Sequence, residues 1–407
     1  MKRKFVDFKV LTASLCCAVV MGVISFVFLK MLGLSSVFRE YFPYCIWFLP
    51  LSGMLTAFVY KKYGCESSKG NNLIIQSANE GVKVPKRLAV LTFFFTLLTH
   101  FSGGSAGREG TAVQIGGALT SNVADKFGFK KEDRKTIILS GLSSAFGSVF
   151  GTPLAGAFFG MEVCCIGQLS ASAVIPCFLS SYLANAVTLL LGATHEVHTI
   201  ASIPNFGFKL ILIFVSASVF FGLLGKLYAL AVKYLKLLYA KIFKNTVLSA
   251  LAGSVVVTLL IILLNLNKYE GLSTWQQTTA FEGNANWYDM PVKFILTALT
   301  LGAGFQGGEV TPLFDIGASF GGWYANLFGI EPSFLAAIGL ICVFGSAANT
   351  PITTIMLGIE LFGAEAAPYF VFASLISFIA SGKSGIYSSQ ERKLSKSLFS
   401  AKADFSE

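Results

Sequence analysis

The chain has 407 residues, of which 54% are apolar and only 13% charged, with a mean hydropathy of +0.69. A soluble protein of this length needs far more charge to cover its surface, so water-soluble domains are excluded and a polytopic helical membrane protein is predicted. The formal charge of +10 reads as a topology signal; the basic clusters lack interleaved base-stacking aromatics, so nucleic acid is not expected as a partner.

In chain order, residues 11–29 are the first charge-free stretch. It is too long for the core of a signal peptide and lacks a small-residue cleavage site, so it is read as the first membrane helix. Residues 136–161 and 169–194 are also free of charge but punctuated by Gly, Pro and Ser, which predicts tilted or interrupted helices. Residues 210–225 and 245–265 are clean spanning segments, and 332–359 repeats the punctuated pattern. Of the eight Cys, Cys16, Cys17, Cys164, Cys165, Cys177 and Cys342 lie in or beside apolar runs. None has metal-ligand spacing with His, so they read as apolar fillers, and neither a metal nor a cofactor is expected.

Basic residues cluster at 1–9, 61–87, 126–135, 226–244 and 383–402, whereas 195–208 has no Lys or Arg and 265–290 only Lys268. The positive-inside rule places the clusters and both termini in the cytoplasm and the two poor loops outside, with the lipid bilayer of the cell membrane between.

The chain repeats itself at an offset of about 200 residues. Gly107-Arg-Glu-Gly-Thr111 returns as Gly307-Gly-Glu-Val-Thr311, matching Glu109 with Glu309. Gly141-Leu, Phe146-Gly-Ser, Thr152-Pro, Gly160 and Glu162 return as Gly339-Leu, Phe344-Gly-Ser, Thr350-Pro, Gly358 and Glu360. Lys126, Lys130, Lys131, Arg134 and Lys135 follow the first copy, while the stretch after the second has no basic residue and carries Glu331. One copy is therefore expected to end inside and the other outside. That predicts a single transmembrane domain of two inverted repeats, 10–200 and 208–395, with its substrate site near the bilayer midplane.

Gly103-Gly-Ser-Ala-Gly-Arg-Glu-Gly-Thr111 is a Gly-rich loop between apolar segments. It lacks the Lys-Ser/Thr ending of a P-loop. The helix-compatible Ala112-Val-Gln-Ile-Gly-Gly-Ala-Leu119 follows. A helix that starts inside the membrane aims free N–H groups and partial positive charge at the midplane, a ready anion site. Ionised, Glu109 can fill that site; protonated, it can leave and admit an anion. Intramembrane acids are costly and usually functional.

These motifs resemble the CLC family of anion channels and antiporters. Gly107-Arg-Glu-Gly-Thr with Val-Gln-Ile-Gly-Gly behind it is similar to the signature Gly-Lys/Arg-Glu-Gly-Pro, with Thr111 in place of Pro. Thr152-Pro-Leu-Ala-Gly156 and Gly307-Gly-Glu-Val-Thr-Pro312 extend the likeness. The resemblance implies an all-α fold of many tilted and broken helices, and a homodimer with one pore per subunit. It implies a gate at Glu109 and anion contacts at Gly107, Arg108, Gly110, Thr111, Val310 and Thr311. Tyr387, in Ser381-Gly-Lys-Ser-Gly-Ile-Tyr387, aligns with the family Tyr whose hydroxyl faces the central anion.

The departures narrow the assignment. Where most members carry Gly-Ser-Gly-Ile-Pro this chain has Gly70-Asn-Asn-Leu-Ile74, putting Asn71 at the anion-facing Ser. Gly308-Glu-Val-Thr-Pro312 replaces Gly-Ile-Phe-Ala-Pro, and Val163 stands where many chloride antiporters have an inner proton-carrying Glu. This set is similar to the fluoride/proton antiporter branch. The implied substrates are fluoride and protons, with chloride/proton exchange or a passive chloride channel as the alternatives. An Asn carboxamide has two N–H donors where Ser has one O–H, which suits a small, tightly hydrated ion. Glu309 is the second proton-coupling candidate. Phe305 and Phe314 are candidates to present positive ring edges.

His195 and His198 fall on the outer loop and read as exposed, and His100, near the filter end of a membrane helix, reads as a core or interfacial residue. An intramembrane hydrolase would need a Ser–His pair with an orienting acid. Only Ser105 near His100 comes close, without the acid, so enzymatic activity is not expected. Nothing after Lys402 has room for the paired cytoplasmic regulatory domains of some relatives, and none is expected.

Overall fold

The computed structural model describes residues 7–392. Residues 1–6 and 393–402 of the terminal basic clusters, and the last residues of the second predicted repeat, lie outside the described residues. Helix α1 (Phe8–Tyr41) opens on Asp7, whose carboxylate accepts from the Lys9 amide at 3.0 Å. Its 34 residues are about 50 Å long at 1.5 Å per residue, more than the hydrocarbon core needs, so the helix tilts or projects. Then follow α2 (Leu49–Tyr63), α3 (Asn71–Glu80), α4 (Arg87–Phe101), α5 (Glu109–Lys126), α6 (Lys131–Phe150), α7 (Pro153–Glu162) and α8 (Val174–Leu190). The second half contains α9 (Phe208–Ile242), α10 (Thr246–Leu263), α11 (Trp275–Phe281), α12 (Asp289–Gly302), α13 (Val310–Phe328), α14 (Pro332–Ala348), α15 (Pro351–Phe362) and α16 (Ala367–Ser381). A two-residue strand, β1 (Cys165–Ile166), pairs in parallel with β2 (Glu391–Arg392) and ties the last described residues to the segment just after α7.

Among the described residues, five helical segments are long and apolar enough to cross a membrane unbroken. The punctuated stretches divide as their sequence requires. α6 stops at Gly151 with φ +79°, and α14 stops at Asn349 with φ +58°. In each case Thr-Pro follows and Pro opens the next helix, because its missing N–H and fixed φ are tolerated only at a helix start.

The core sits where α5 packs on α6 and α13 on α14. A Cβ on Gly116 would lie 2.4 Å from the Gly141 carbonyl, and one on Gly317 would lie 2.1 Å from that of Gly339. Glycine lets these backbones touch, which is how helices in lipid gain close packing. Every residue of α14 except Pro332 is buried, so it runs through the centre of the second half.

Two acids cap each other's helices. Glu162, the last residue of α7, accepts from the amides of Ile352 (3.0 Å) and Thr353 (2.8 Å) and from the Thr353 hydroxyl (2.7 Å) at the start of α15. Glu360, near the end of α15, accepts from Leu154 and Ala155 at the start of α7, both at 2.8 Å. Glu162→Ala strands two amides and a hydroxyl in a buried place and is expected to destabilise the protein by about 3 kcal/mol. Glu162→Gln, which keeps an acceptor, should lose less. Thermal unfolding in detergent checks this, and equal midpoints for Ala and wild type would deny the carboxylate its capping role.

Candidate functional site

The Gly-rich segments before α5 and α13 meet head to head. Gly107 and Gly308 exchange two backbone hydrogen bonds, N–H to O, each 2.7 Å. Side chains are excluded there, since a Cβ on Gly308 would lie 2.8 Å from the Gly110 nitrogen and one on Gly107 would lie 2.7 Å from Pro312. Two interrupted helices thus present their free amides to one small region.

Glu109 fills part of that region and is fully buried. One carboxylate oxygen accepts from Arg108 Nε at 2.9 Å; the other accepts from the Thr311 amide at 3.1 Å and from the Thr311 hydroxyl. The carboxyl group therefore sits at the start of α13, beside Val310, where free amides favour an anion, and it has no solvent contact. Thr111 is buried too, its hydroxyl 2.9 Å from that of Thr96.

Asn71 opens α3 behind Gly70, whose φ is +55°. Its side-chain nitrogen lies 3.4 Å from where a Gly110 Cβ would stand, and its side-chain oxygen is buried without a partner. Asn72, which sequence reasoning passed over, accepts from the Ser389 amide at 3.1 Å and joins α3 to the segment of Tyr387. Tyr387 is buried with an unpartnered hydroxyl. Gln390 holds its segment in place, donating to Val163 O (2.9 Å) and Ala348 O (2.8 Å) and accepting from Asn349 (3.0 Å). No motif marks Gln390 or Asn72; both matter only through distant partners.

Glu309 behaves differently from Glu109. It stands at the N-cap of α13, half-buried, and its carboxylate accepts no hydrogen bond from that helix or from any other described residue. The cation acting on it is Lys236, in the second half of α9. Tyr387 lies where the charges of both Glu309 and Glu109 reach it. Phe314 joins the main core, 4.8 Å ring to ring from Phe150 and 5.3 Å from Phe344, whereas Phe305 packs on Gly53 in a separate cluster with Leu49 and Val257. The two rings are not brought together.

Arg108, the neighbour of Glu109, borders a vestibule of about 920 Å³ with Arg39, Glu40, Glu196, Lys268 and Glu270 also on its walls. Arg108 also lines a chamber of about 30 Å³ with Thr311, Gln277, Glu196 and His198. Arg39 pairs with Glu270 at 3.6 Å and donates to the His100 carbonyl, and the His100 ring stands 3.3 Å from the Gly107 carbonyl. Burial pushes the Glu270 carboxyl up to about 7, with Arg39 holding it back. A second ion pair, Lys293 and Asp315 at 3.8 Å, is fully buried; Lys293 also donates to the carbonyls of Gly271 (2.9 Å) and Leu272 (3.1 Å), and Gln277 donates to Asp315 (2.7 Å).

The two loop histidines correct the sequence-based expectation of exposure. Both ring nitrogens of His195 and Nε2 of His198 are buried without partners. The two rings turn inward onto Gly151 and Phe281 while Glu196 and Val197 between them stay exposed, which the composition does not reveal.

A bundle of long and broken helices, with interrupted helix starts converging on a buried carboxylate beneath a charged vestibule, has the architecture of a membrane transport protein. The chain belongs to the voltage-gated chloride channel family, whose family model, described as "Voltage gated chloride channel", matches residues 52–382. It is 38% identical over 380 residues to a "Chloride/fluoride channel protein" of Pseudomonas syringae pv. tomato, covering 92% of this chain and 84% of that one. The structure is similar to that of a CLC-type fluoride/proton antiporter, with a TM-score of 0.90 and 33% identity, covering 96% of this chain and 100% of the other. A slow cyanobacterial Cl⁻/H⁺ antiporter shares the fold at a TM-score of 0.79 and 17% identity, with coverage of 93% and 96%.

Proposed function

We propose that the protein exchanges fluoride for protons across the plasma membrane, inward protons driving fluoride out. The observation that carries this reading is the Glu109 carboxylate bound at the amide start of α13. A side-chain anion in an anion site competes with the transported ion, and its protonation both vacates the site and carries a proton. Glu109 is the gate. Glu309 carries protons on the other branch, where Val163 has no acid to offer. Gly107, Arg108, Gly110, Thr111, Val310 and Thr311, with Asn71 and Tyr387, form the anion path. The single domain consists of two inverted repeats, 10–200 and 208–395, works as a homodimer in the bilayer and keeps both termini in the cytoplasm. It is a transporter and not an enzyme.

Fluoride as the substrate is supported by Asn71 in place of Ser and by the likeness to proteins named for fluoride. The test is fluoride and chloride efflux with simultaneous pH recording from purified protein in liposomes. Fluoride far above chloride with counter-moving protons is the expected result; equal rates for the two anions would move the assignment to chloride/proton exchange, and fluoride flux without protons to a channel.

Selectivity is expected to depend on Asn71. Fluoride gives up more hydration energy than chloride on entering, so it relies more on the number and shortness of donors. Asn71→Ser should narrow the fluoride preference by about 1.5–3 kcal/mol at most, one hydrogen bond to an ion. The backbone amides remain, so some preference survives. The ratio of fluoride to chloride efflux under matched gradients measures it, and an unchanged ratio would take Asn71 out of the selectivity site.

A further inference from the structure

The loop between α8 and α9 carries two imidazoles that gating by Glu109 leaves unused. His195 packs so closely on Gly151 that a Cβ there would lie 2.5 Å from the ring Cδ2. Both of its nitrogens are buried without a hydrogen-bond partner, although buried polar groups are nearly always paired. It stands close enough to Arg108 and Glu109 to feel both charges. Burial and then Arg108 push its pKa down to about 4, with Glu109 pulling the other way.

His198 stacks on Phe281 with ring centroids 4.8 Å apart, and its Nε2 is likewise buried and idle. Its ring lines the 30 Å³ chamber together with Arg108 and Thr311, the two residues that hold the Glu109 carboxylate. That space is enough for about one water, and the wall offers several polar partners. Glu196 and Thr274 line both the chamber and the vestibule, and Thr274 donates to Glu196 at 2.8 Å. Polar groups therefore lead from the vestibule through the chamber to Arg108 and Thr311, the two partners of the Glu109 carboxylate.

We propose that His195 and His198 relay protons between this vestibule and Glu109, an inference that rests on the exchange reading above. An O–H bond of a hydronium ion in the vestibule breaks as an N–H bond forms on a neutral imidazole, leaving water. That N–H bond then breaks as an O–H bond forms on the Glu109 carboxylate through intervening water, and the ring returns to its neutral state. Nothing is oxidised or reduced. The charged groups around the rings are Arg108 just before α5, Glu109 at its start, Glu196 of the loop itself and, through Gln277, Asp315 of α13. Lys268 and Glu270 stand on the vestibule wall beyond. Arg108 disfavours the imidazolium while Glu109 attracts its proton, so the proton passes through the rings and does not rest on them.

The test uses His195→Asn and His198→Gln, singly and together, in liposomes. Proton-coupled fluoride exchange in the double variant is expected to slow roughly tenfold or more. Its acceleration as the pH on the vestibule side falls from about 7 towards 5 should flatten, and imidazole added on that side should restore part of the rate. The uncoupled fluoride leak of Glu109→Gln should not change when the two histidine substitutions are added. A double variant with the wild-type rate and pH profile overturns the relay. So does an equal slowing of the leak, which would mean that the histidines only hold the loop. Wild-type protein that passes fluoride without protons would instead remove the exchange reading, and the relay with it.

Discussion

Glu109→Gln is expected to stop proton movement entirely while fluoride still flows. The amide has the shape of the neutral, protonated acid but cannot give up a proton to become the anion. Bound as an anion, Glu109 takes the Thr311 amide and hydroxyl and the Arg108 guanidinium, all groups that an arriving anion would use. A neutral Gln holds them far less strongly, because hydrogen bonds to charged acceptors are roughly twice as strong as neutral ones. The site stays open, and proton uptake driven by a fluoride gradient falls to the level of empty liposomes. Simultaneous fluoride and pH recording measures both quantities. Undiminished proton transport in a folded mutant would remove Glu109 from the mechanism.

The second large effect is predicted at Glu309. If it carries protons on the side opposite the vestibule, Glu309→Gln should slow coupled exchange roughly tenfold or more, although Glu109 is intact. Its stability should barely change, within about 0.5 kcal/mol, because no described residue hydrogen-bonds to the Glu309 carboxylate and the amide fills the same volume. That separation is the point of the measurement. A structural acid would lose stability first and transport as a consequence; a proton carrier loses transport with the unfolding midpoint unmoved. Wild-type exchange rates would leave Glu309 without a role in coupling. The contrast with Glu162 is instructive, since that carboxylate accepts three bonds and is expected to matter for folding.

What the sequence determined by itself follows from neighbouring residues. Charge-free runs define a polytopic helical membrane protein, as the helices now show. Thr-Pro after a glycine or asparagine marks where two long runs break, because a proline ring opens a helix and does not continue one. The Gly107-to-Thr111 motif was enough to bring out the family, which the family match bears out.

Only the tertiary structure decided which groups meet. Glu109 finds its partner Thr311 at a separation of 202 residues, and Glu162 finds Ile352 at 190. Such pairs depend on how whole helices cross, and no local periodicity encodes that. Asn72 and Gln390 gain their importance in the same way, from amides and carbonyls at the ends of other elements. The histidine loop shows the reverse case. Its polar, base-poor composition reads as solvent-exposed, yet the fold turns the His195 ring onto Gly151 at the end of α6 and His198 into the chamber beside Arg108 and Thr311, so that burial and the nearby Arg108 push the His195 pKa down. Burial belongs to the packed molecule, and a single segment of sequence cannot carry it.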